Sequence, residues 1–128
     1  MILLDTCTLL WLAADQKKLS ARARSLIAKH AGALFISAIT AFEIALKHRK
    51  RRLVLPLEPE QWIERALTFH GVAEIPVDWR VAARSTAVDV EHADPCDRII
   101  LATAEARDLL LLTPDPLMKA CPSVRVEW

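Results

Sequence analysis

The chain has 128 residues, 53% of them hydrophobic and 26% charged, with a net charge of +1, which suits one globular domain with a real core. Its longest apolar stretches, residues 9–14 and 109–112, fall far short of the roughly 18 residues that suggest a membrane span. Only two glycines occur, Gly32 and Gly71, so a P-loop, a dinucleotide fingerprint and a nucleophile elbow are excluded, since each needs closely spaced glycines.

The chain opens Met-Ile-Leu-Leu-Asp, without the basic segment and longer apolar run of a secretory leader, and a cytoplasmic location is expected. Residues 2–4 are a short apolar run suited to a buried strand, closed by Asp5. A helix beginning near Thr8 follows. It carries Leu9, Leu10, Trp11 and Leu12, nearly too apolar for an outer helix, and is a candidate interface. Ser20 can cap a helix with Ala23, Leu26 and Ile27 on one face. A second apolar run, 33–36, leads to a helix whose stripe is Phe42, Ala45 and Leu46. Pro59 suits the first turn of a helix burying Trp62, Ile63, Ala66 and Leu67.

A third run, 73–77, precedes Asp78, which can cap a segment bearing Trp79, Ala82 and Ala83. The four tryptophans, Trp11, Trp62, Trp79 and Trp128, are expected in the core. Asp94 and Pro95 open a strong helix through Ile100, Leu101 and Ala104 to about Arg107, and runs at 109–112 and 124–126 complete the set. Strands alternating with helices imply an α/β fold. The expectation is one domain over 1–128, with a central, mainly parallel five-stranded sheet flanked by helices on both faces. Ligands in such folds bind beyond the carboxyl ends of the strands, where strand order reverses.

Five acids fall where that edge should be. Asp5 ends the first strand, Glu43 lies a turn into the helix after the second, Asp94 and Asp97 start a helix returning to the sheet, and Asp115 follows the fourth strand. Each also has a structural use. Asp5, Asp94 and Asp115 can cap helices or turns; Thr40 and Glu43 fit a capping box; Glu43 can pair with Lys47, and Asp94 with Arg98. Together, however, converging carboxylates repel one another unless a cation joins them. His30, His48, His70 and His92 show no HExxH spacing, and Cys7, Cys96 and Cys121 no CxxC, so zinc is disfavoured and the cysteines read as small buried thiols. An acid-only set points to Mg²⁺ or Mn²⁺ and phosphodiester chemistry.

Charge is unevenly placed. Residues 1–52 hold ten Lys/Arg against three Asp/Glu, and residues 53–128 hold seven against thirteen. The dense run Lys47-His48-Arg49-Lys50-Arg51-Arg52 suits a solvated helix C-terminus. It equally suits contact with an RNA backbone, which makes Lys47, Arg49, Lys50, Arg51 and Arg52 candidate RNA-binding residues.

Four segments in register, Ile2-Leu3-Leu4-Asp5-Thr6, Ser37-Ala38 with Glu43-Ile44-Ala45, Asp94-Pro95-Cys96-Asp97-Arg98-Ile99-Ile100-Leu101-Ala102, and Leu112-Thr113-Pro114-Asp115, resemble a PIN domain of the VapC type over nearly the whole chain. The resemblance implies a metal-dependent endoribonuclease, the toxin of a toxin–antitoxin pair, with an antitoxin partner, an RNA substrate and a homodimeric state. It places Asp5, Glu43, Asp97 and Asp115 at the family's acidic positions, with Asp94 an additional acid of one branch. Asp5 and Asp97 are then expected to hold the principal cation, Glu43 to orient or deprotonate water, and Asp115 to complete the cluster or help hold a second ion. Cys7 and Cys96 stand where the family often has His and an aromatic, departures expected to affect packing.

Other families fit less well. A haloacid-dehalogenase phosphatase needs DxDxT where this chain has Asp5-Thr6-Cys7-Thr8, and a receiver domain needs paired acids after its first strand. The alternative from a non-enzyme class is a degenerate PIN domain that only binds RNA or a protein.

Overall fold

A computed structural model describes residues 1–91 and 94–128; the His92 reading lies outside them. Along it run β1 (Ile2–Leu4), α1 (Thr6–Ala14), a 3-10 turn (Gln16–Lys18), α2 (Ala21–Lys29), β2 (Leu34–Ser37), α3 (Ala38–Arg49) and α4 (Pro59–His70). Then follow β3 (Val72–Ile75), α5 (Trp79–Ser85), α6 (Pro95–Arg107), β4 (Leu110–Leu112), α7 (Pro116–Lys119) and β5 (Val126–Glu127). The strands lie in the order β3-β2-β1-β4-β5, and every pairing is parallel. Order therefore reverses between β1 and β4, and the cleft that such a reversal opens lies past Leu4 and Leu112.

Alternation along β1 divides the core in two. Ile2 and Leu4 face one side with Leu34, Ile36 and Leu112, covered by Leu9 and Leu12 of α1, Ala23 of α2, Ile44 of α3 and Trp62 and Ala66 of α4. Leu3 and Leu111 face the other, covered by Val81 of α5, Ile100, Leu101 and Ala104 of α6, and Met118. Helices thus cover both faces, and the central strands β1 and β4 read as unbroken apolar runs because both their sides are covered. Caps begin most helices: Asp5, Ser20, Ser37, Asp78, Asp94 and Asp115 each accept from a backbone N–H of the first turn. Gly71, at φ 62°, ends α4 in the left-handed conformation that favours glycine.

Several expectations are corrected. The last strand sits at Val126–Glu127, and Val124 instead fills the second core. On α3 the inward residues are Thr40 and Ile44, while Phe42 is 54% exposed. Thr40 is tolerated inside because its hydroxyl meets that of Thr6, 3.1 Å away. The cap of α3 is Ser37, so the Thr40–Glu43 capping box does not form. On α5 the buried positions are Val81 and Ser85; Trp79 is 71% exposed, with the Arg80 guanidinium 4.3 Å from its ring centroid. Trp62 is buried, and half-buried Trp11 and Trp128 lie against each other, 5.7 Å between centroids. Cys121 is buried, whereas Cys7 and Cys96 are only partly so.

Candidate metal centre

Asp5 is fixed by the reversal point of the sheet. Its backbone N–H donates to Leu112 O at 3.4 Å, holding β1 against the end of β4. The Asp5 side chain caps α1, Oδ1 accepting from Thr8 N at 2.8 Å, and Thr8 Oγ1 stands 2.6 Å from the same oxygen. Cys7 Sγ donates to Oδ1 at 3.2 Å, and Thr113 Oγ1 donates to Oδ2. The residue is 5% exposed. Burial pushes its carboxyl above the usual range, against the opposing pull of the bonds from Thr113, Thr8 and Cys7. The same burial, then the neighbouring Asp5 charge, pushes the Cys7 thiol far up and keeps it protonated as a donor.

A different arrangement forms where α3 meets the start of α6. Carboxylate oxygens of Glu43, Asp94 and Asp97 all lie within 4.8 Å of one another. Asp94 and Asp97 are three apart at the first turn of α6, hence on one face, and Asp94 Oδ1 accepts from Cys96 N at 2.8 Å, so capping fixes the helix end. Glu43 is held from two sides. Thr6 Oγ1 donates to Oε1 at 2.6 Å, and Lys47 Nζ lies 3.2 Å from Oε2, as the i,i+4 spacing implies. Since the Thr6 proton goes to Glu43, the Thr40 hydroxyl must donate to Thr6, giving a short relay from the core to the carboxylate. Next to these acids the Cys96 thiol is pushed up to about 11, by burial first and then by the charges of Glu43, Asp94 and Asp97.

The residues fit a hard divalent cation. All donors are oxygens, and metal–oxygen distances near 2.0–2.1 Å put ligands of one Mg²⁺ roughly 3–4 Å apart, so small side-chain rotations would gather all three. Asp5 lies outside that set of three, its oxygens accepting from Thr8, Cys7 and Thr113. Asp115 caps α7 through Leu117 N at 2.8 Å, and its own N–H donates to Thr113 Oγ1 at 3.1 Å, the hydroxyl that serves Asp5. The structure thus groups Glu43, Asp94 and Asp97, and links Asp115 to Asp5 through Thr113. Sequence spacing does not mark the hydroxyls of Thr6, Thr8 and Thr113 as site groups, and it offers Thr40 only as part of a capping box. Their signal is adjacency, as Thr6 follows Asp5 and Thr113 precedes Pro114-Asp115.

Arg98 lies beside this cluster in sequence, but its guanidinium reaches the carbonyls of Ser85, Thr86, Val88 and Val90 at 2.8–3.1 Å. It thereby fastens the segment after α5 to the helix bearing Asp94 and Asp97. The basic run does not continue as helix. After Arg49 and the cap Lys50, Arg51 turns left-handed at φ 58°. Arg52 N then donates to Lys47 O at 2.8 Å and Arg51 N to His48 O at 3.0 Å, the paired bonds of a Schellman ending. That turn folds Arg52 back beside Lys47.

Comparison with known proteins gives a consistent picture. A family model for the PIN domain matches residues 2–121. Ribonuclease VapC22 of Mycobacterium tuberculosis is 32% identical over 120 residues, covering 93% of this chain and 90% of that protein. Among solved structures, a toxin–antitoxin complex from Klebsiella pneumoniae has a chain 26% identical, with TM-score 0.68, covering 97% of this chain and 95% of that one. VapBC2 from Rickettsia felis, bound to a DNA fragment from its promoter, matches with TM-score 0.74 at 16% identity, over 99% and 98% of the two chains.

Proposed function

The chain belongs to the PIN-domain family, and from that membership we propose that it is a divalent-metal-dependent endoribonuclease acting as the toxin of a toxin–antitoxin pair. The observation that carries the reading is the convergence of Glu43, Asp94 and Asp97 within 4.8 Å. A ribonuclease name for the 32% identical relative gives the reaction class. Toxin–antitoxin complexes among the solved neighbours support a small antitoxin protein as partner. A homodimer and a cytoplasmic location, where RNA and antitoxin would be met, complete the proposal.

Glu43, Asp94 and Asp97 would hold Mg²⁺ or Mn²⁺, which supplies neutralisation of the scissile phosphate and acidification of water at neutral pH. Asp97, in the first turn of α6 and clear of the cap position, brings its carboxylate to the cluster with the helix frame fixed behind it. Asp94 does two things at once, capping α6 through Oδ1 while adding charge to the cluster. Glu43, steadied by Thr6 and Lys47, is placed to orient the attacking water and accept its proton. Asp5 backs the site from inside, keeping α1 and the β4 end in register. Asp115 stands beyond Thr113, where it would extend the anionic surface toward a second ion. The phosphates flanking the cut would meet the basic end of α3.

The test is cleavage of a mixed RNA pool by the purified full chain, with Mn²⁺ and with EDTA. Metal-dependent fragments are expected. RNA that is bound but stays whole at saturating Mn²⁺ would make the chain a binding module instead.

A further inference from the structure

The basic run and the exposed Phe42 share one groove with the acidic cluster. This groove, about 470 Å³, is walled on one side by α3 and on the other by Asp94, Pro95 and Cys96 at the start of α6. Along α3 its lining passes from Glu43 to Lys47, Lys50 and the folded-back Arg52, with Phe42 and Leu46 forming the rim. Phe42 and Leu46 also line the neighbouring hollow that contains His48, Arg49 and Arg51. They form a ridge that separates the basic run into two sides.

We propose that this groove is a track for single-stranded RNA, in which Phe42 is the platform for one unstacked base and Lys47, Lys50 and Arg52 meet the adjoining phosphates. The proposal rests on the nuclease reading for its direction, but its own support is independent. Phe42 is 54% exposed and lines the same groove as Lys47, Lys50 and Arg52, so an open ring stands beside three cations. The covering group must suit a ring flanked by three cations. Flat base faces joined by phosphates have that chemistry, and proteins that hold single strands without sequence preference combine cations and aromatics in this way. The eight residue steps from Phe42 to Lys50 rise about 12 Å, enough for a few nucleotides leading away from the acids. Phe42 is a positioning residue, since it would hold a base near the scissile bond and touch none of the reacting atoms.

The decisive measurement is binding of a short fluorescein-labelled single-stranded RNA to the full chain in EDTA, followed by cleavage on adding Mn²⁺. Wild type is compared with Phe42→Ala, Phe42→Trp and Phe69→Ala, the last removing an aromatic that is 84% exposed on α4 outside this groove. Phe42→Ala should bind about fivefold to a hundredfold more weakly, the loss of one stacked base, and raise KM more than it lowers kcat. Phe42→Trp should restore binding, and Phe69→Ala should match wild type. Abasic substitution at one RNA position should weaken wild type by the same factor and leave Phe42→Ala unchanged. Lys50→Gln with Arg52→Gln should flatten the log–log salt dependence by about 0.7 per lost contact. RNA binding by Phe42→Ala equal to wild type overturns the track, as does a wild type that binds no RNA. An antitoxin affinity lost in Phe42→Ala while RNA affinity is kept assigns the groove to a peptide and overturns it too. RNA that is bound through Phe42 but never cut leaves the track standing and sinks only the nuclease reading.

Discussion

Asp5 and Asp97 are the same residue type on the same edge of the sheet, yet their surroundings differ in kind. Asp5 is buried at the strand reversal, with donors from Thr8, Cys7 and Thr113 on its oxygens. Asp97 sits at the mouth between α3 and α6, with two further carboxylates as its neighbours. In the first place one carboxylate gathers several protein donors, and in the second three carboxylates share one mouth. Donors that converge on one buried acid hold it in place, and acids gathered side by side gain from a cation between them. Removing each should therefore cost different things.

The largest effect should come from the gathered acids. Asp97→Asn and Glu43→Gln should each lower metal-dependent cleavage by about 100-fold or more. Neither should lose stability, and their melting temperatures in metal-free buffer should equal or exceed that of wild type, because a repelling charge has gone. Asp94→Asn should fall between, since Asn caps almost as well as Asp while the cluster loses one charge. Gel assays over a Mn²⁺ titration check all three, and a dead Asp94→Asn beside a nearly intact Asp97→Asn would reverse their roles.

Asp5→Ala should show the opposite balance. Losing a cap and leaving buried hydroxyls without an acceptor should cost about 2–4 kcal/mol in urea denaturation. Asp5→Asn should be milder, its amide oxygen keeping the cap. The raised Asp5 carboxyl also gives a sign. The folded chain holds this proton more tightly than the unfolded one, so the contribution of Asp5 to stability falls as pH rises from about 4 through its folded value. Asp5→Ala should remove that part of the pH slope. An unchanged profile would show that burial does not govern this group.

The two regions were not equally legible. The central strands stand out as short apolar runs because they are parallel and buried on both faces, and Asp5, Asp94 and Asp115 stand out because they end strands or begin helices. What spacing could not show is which acids share a cluster. That depends on how α3 is rolled against α6, and the roll is set by Thr40 and Ile44 turning inward. A stripe of Phe42, Ala45 and Leu46 looks more apolar, so hydrophobicity alone selects the wrong face. Thr40 wins because Thr6 satisfies its hydroxyl, a contact 34 residues away in sequence. Trp79 misleads similarly, its large apolar ring lying outside over Arg80.

Smaller effects test the frame around both regions. Asp108 ends α6 left-handed at φ 50°, with Leu109 N donating to Ala104 O at 2.9 Å. Asp108→Gly should relieve that conformation and add up to about 1 kcal/mol, measured by thermal unfolding. Glu105 is held below the usual carboxylate range by its bond from Arg84 and then by Ser123. Its contribution is present above the unfolded Glu value and is lost as pH falls through the folded one. Glu105→Gln should lower the melting temperature by at most about 3 °C at pH 7, with the difference vanishing in acid.

The central claim, that Glu43, Asp94 and Asp97 form the cation site while Asp5 belongs to the frame, is tested most directly by Mn²⁺ binding to the RNA-free full chain, followed by calorimetry. Wild type should bind Mn²⁺, Asp97→Asn should lose at least tenfold in affinity, and Asp5→Asn should lose distinctly less. Equal Mn²⁺ affinity in wild type and Asp97→Asn, with binding abolished in a folded Asp5→Asn, would contradict the account.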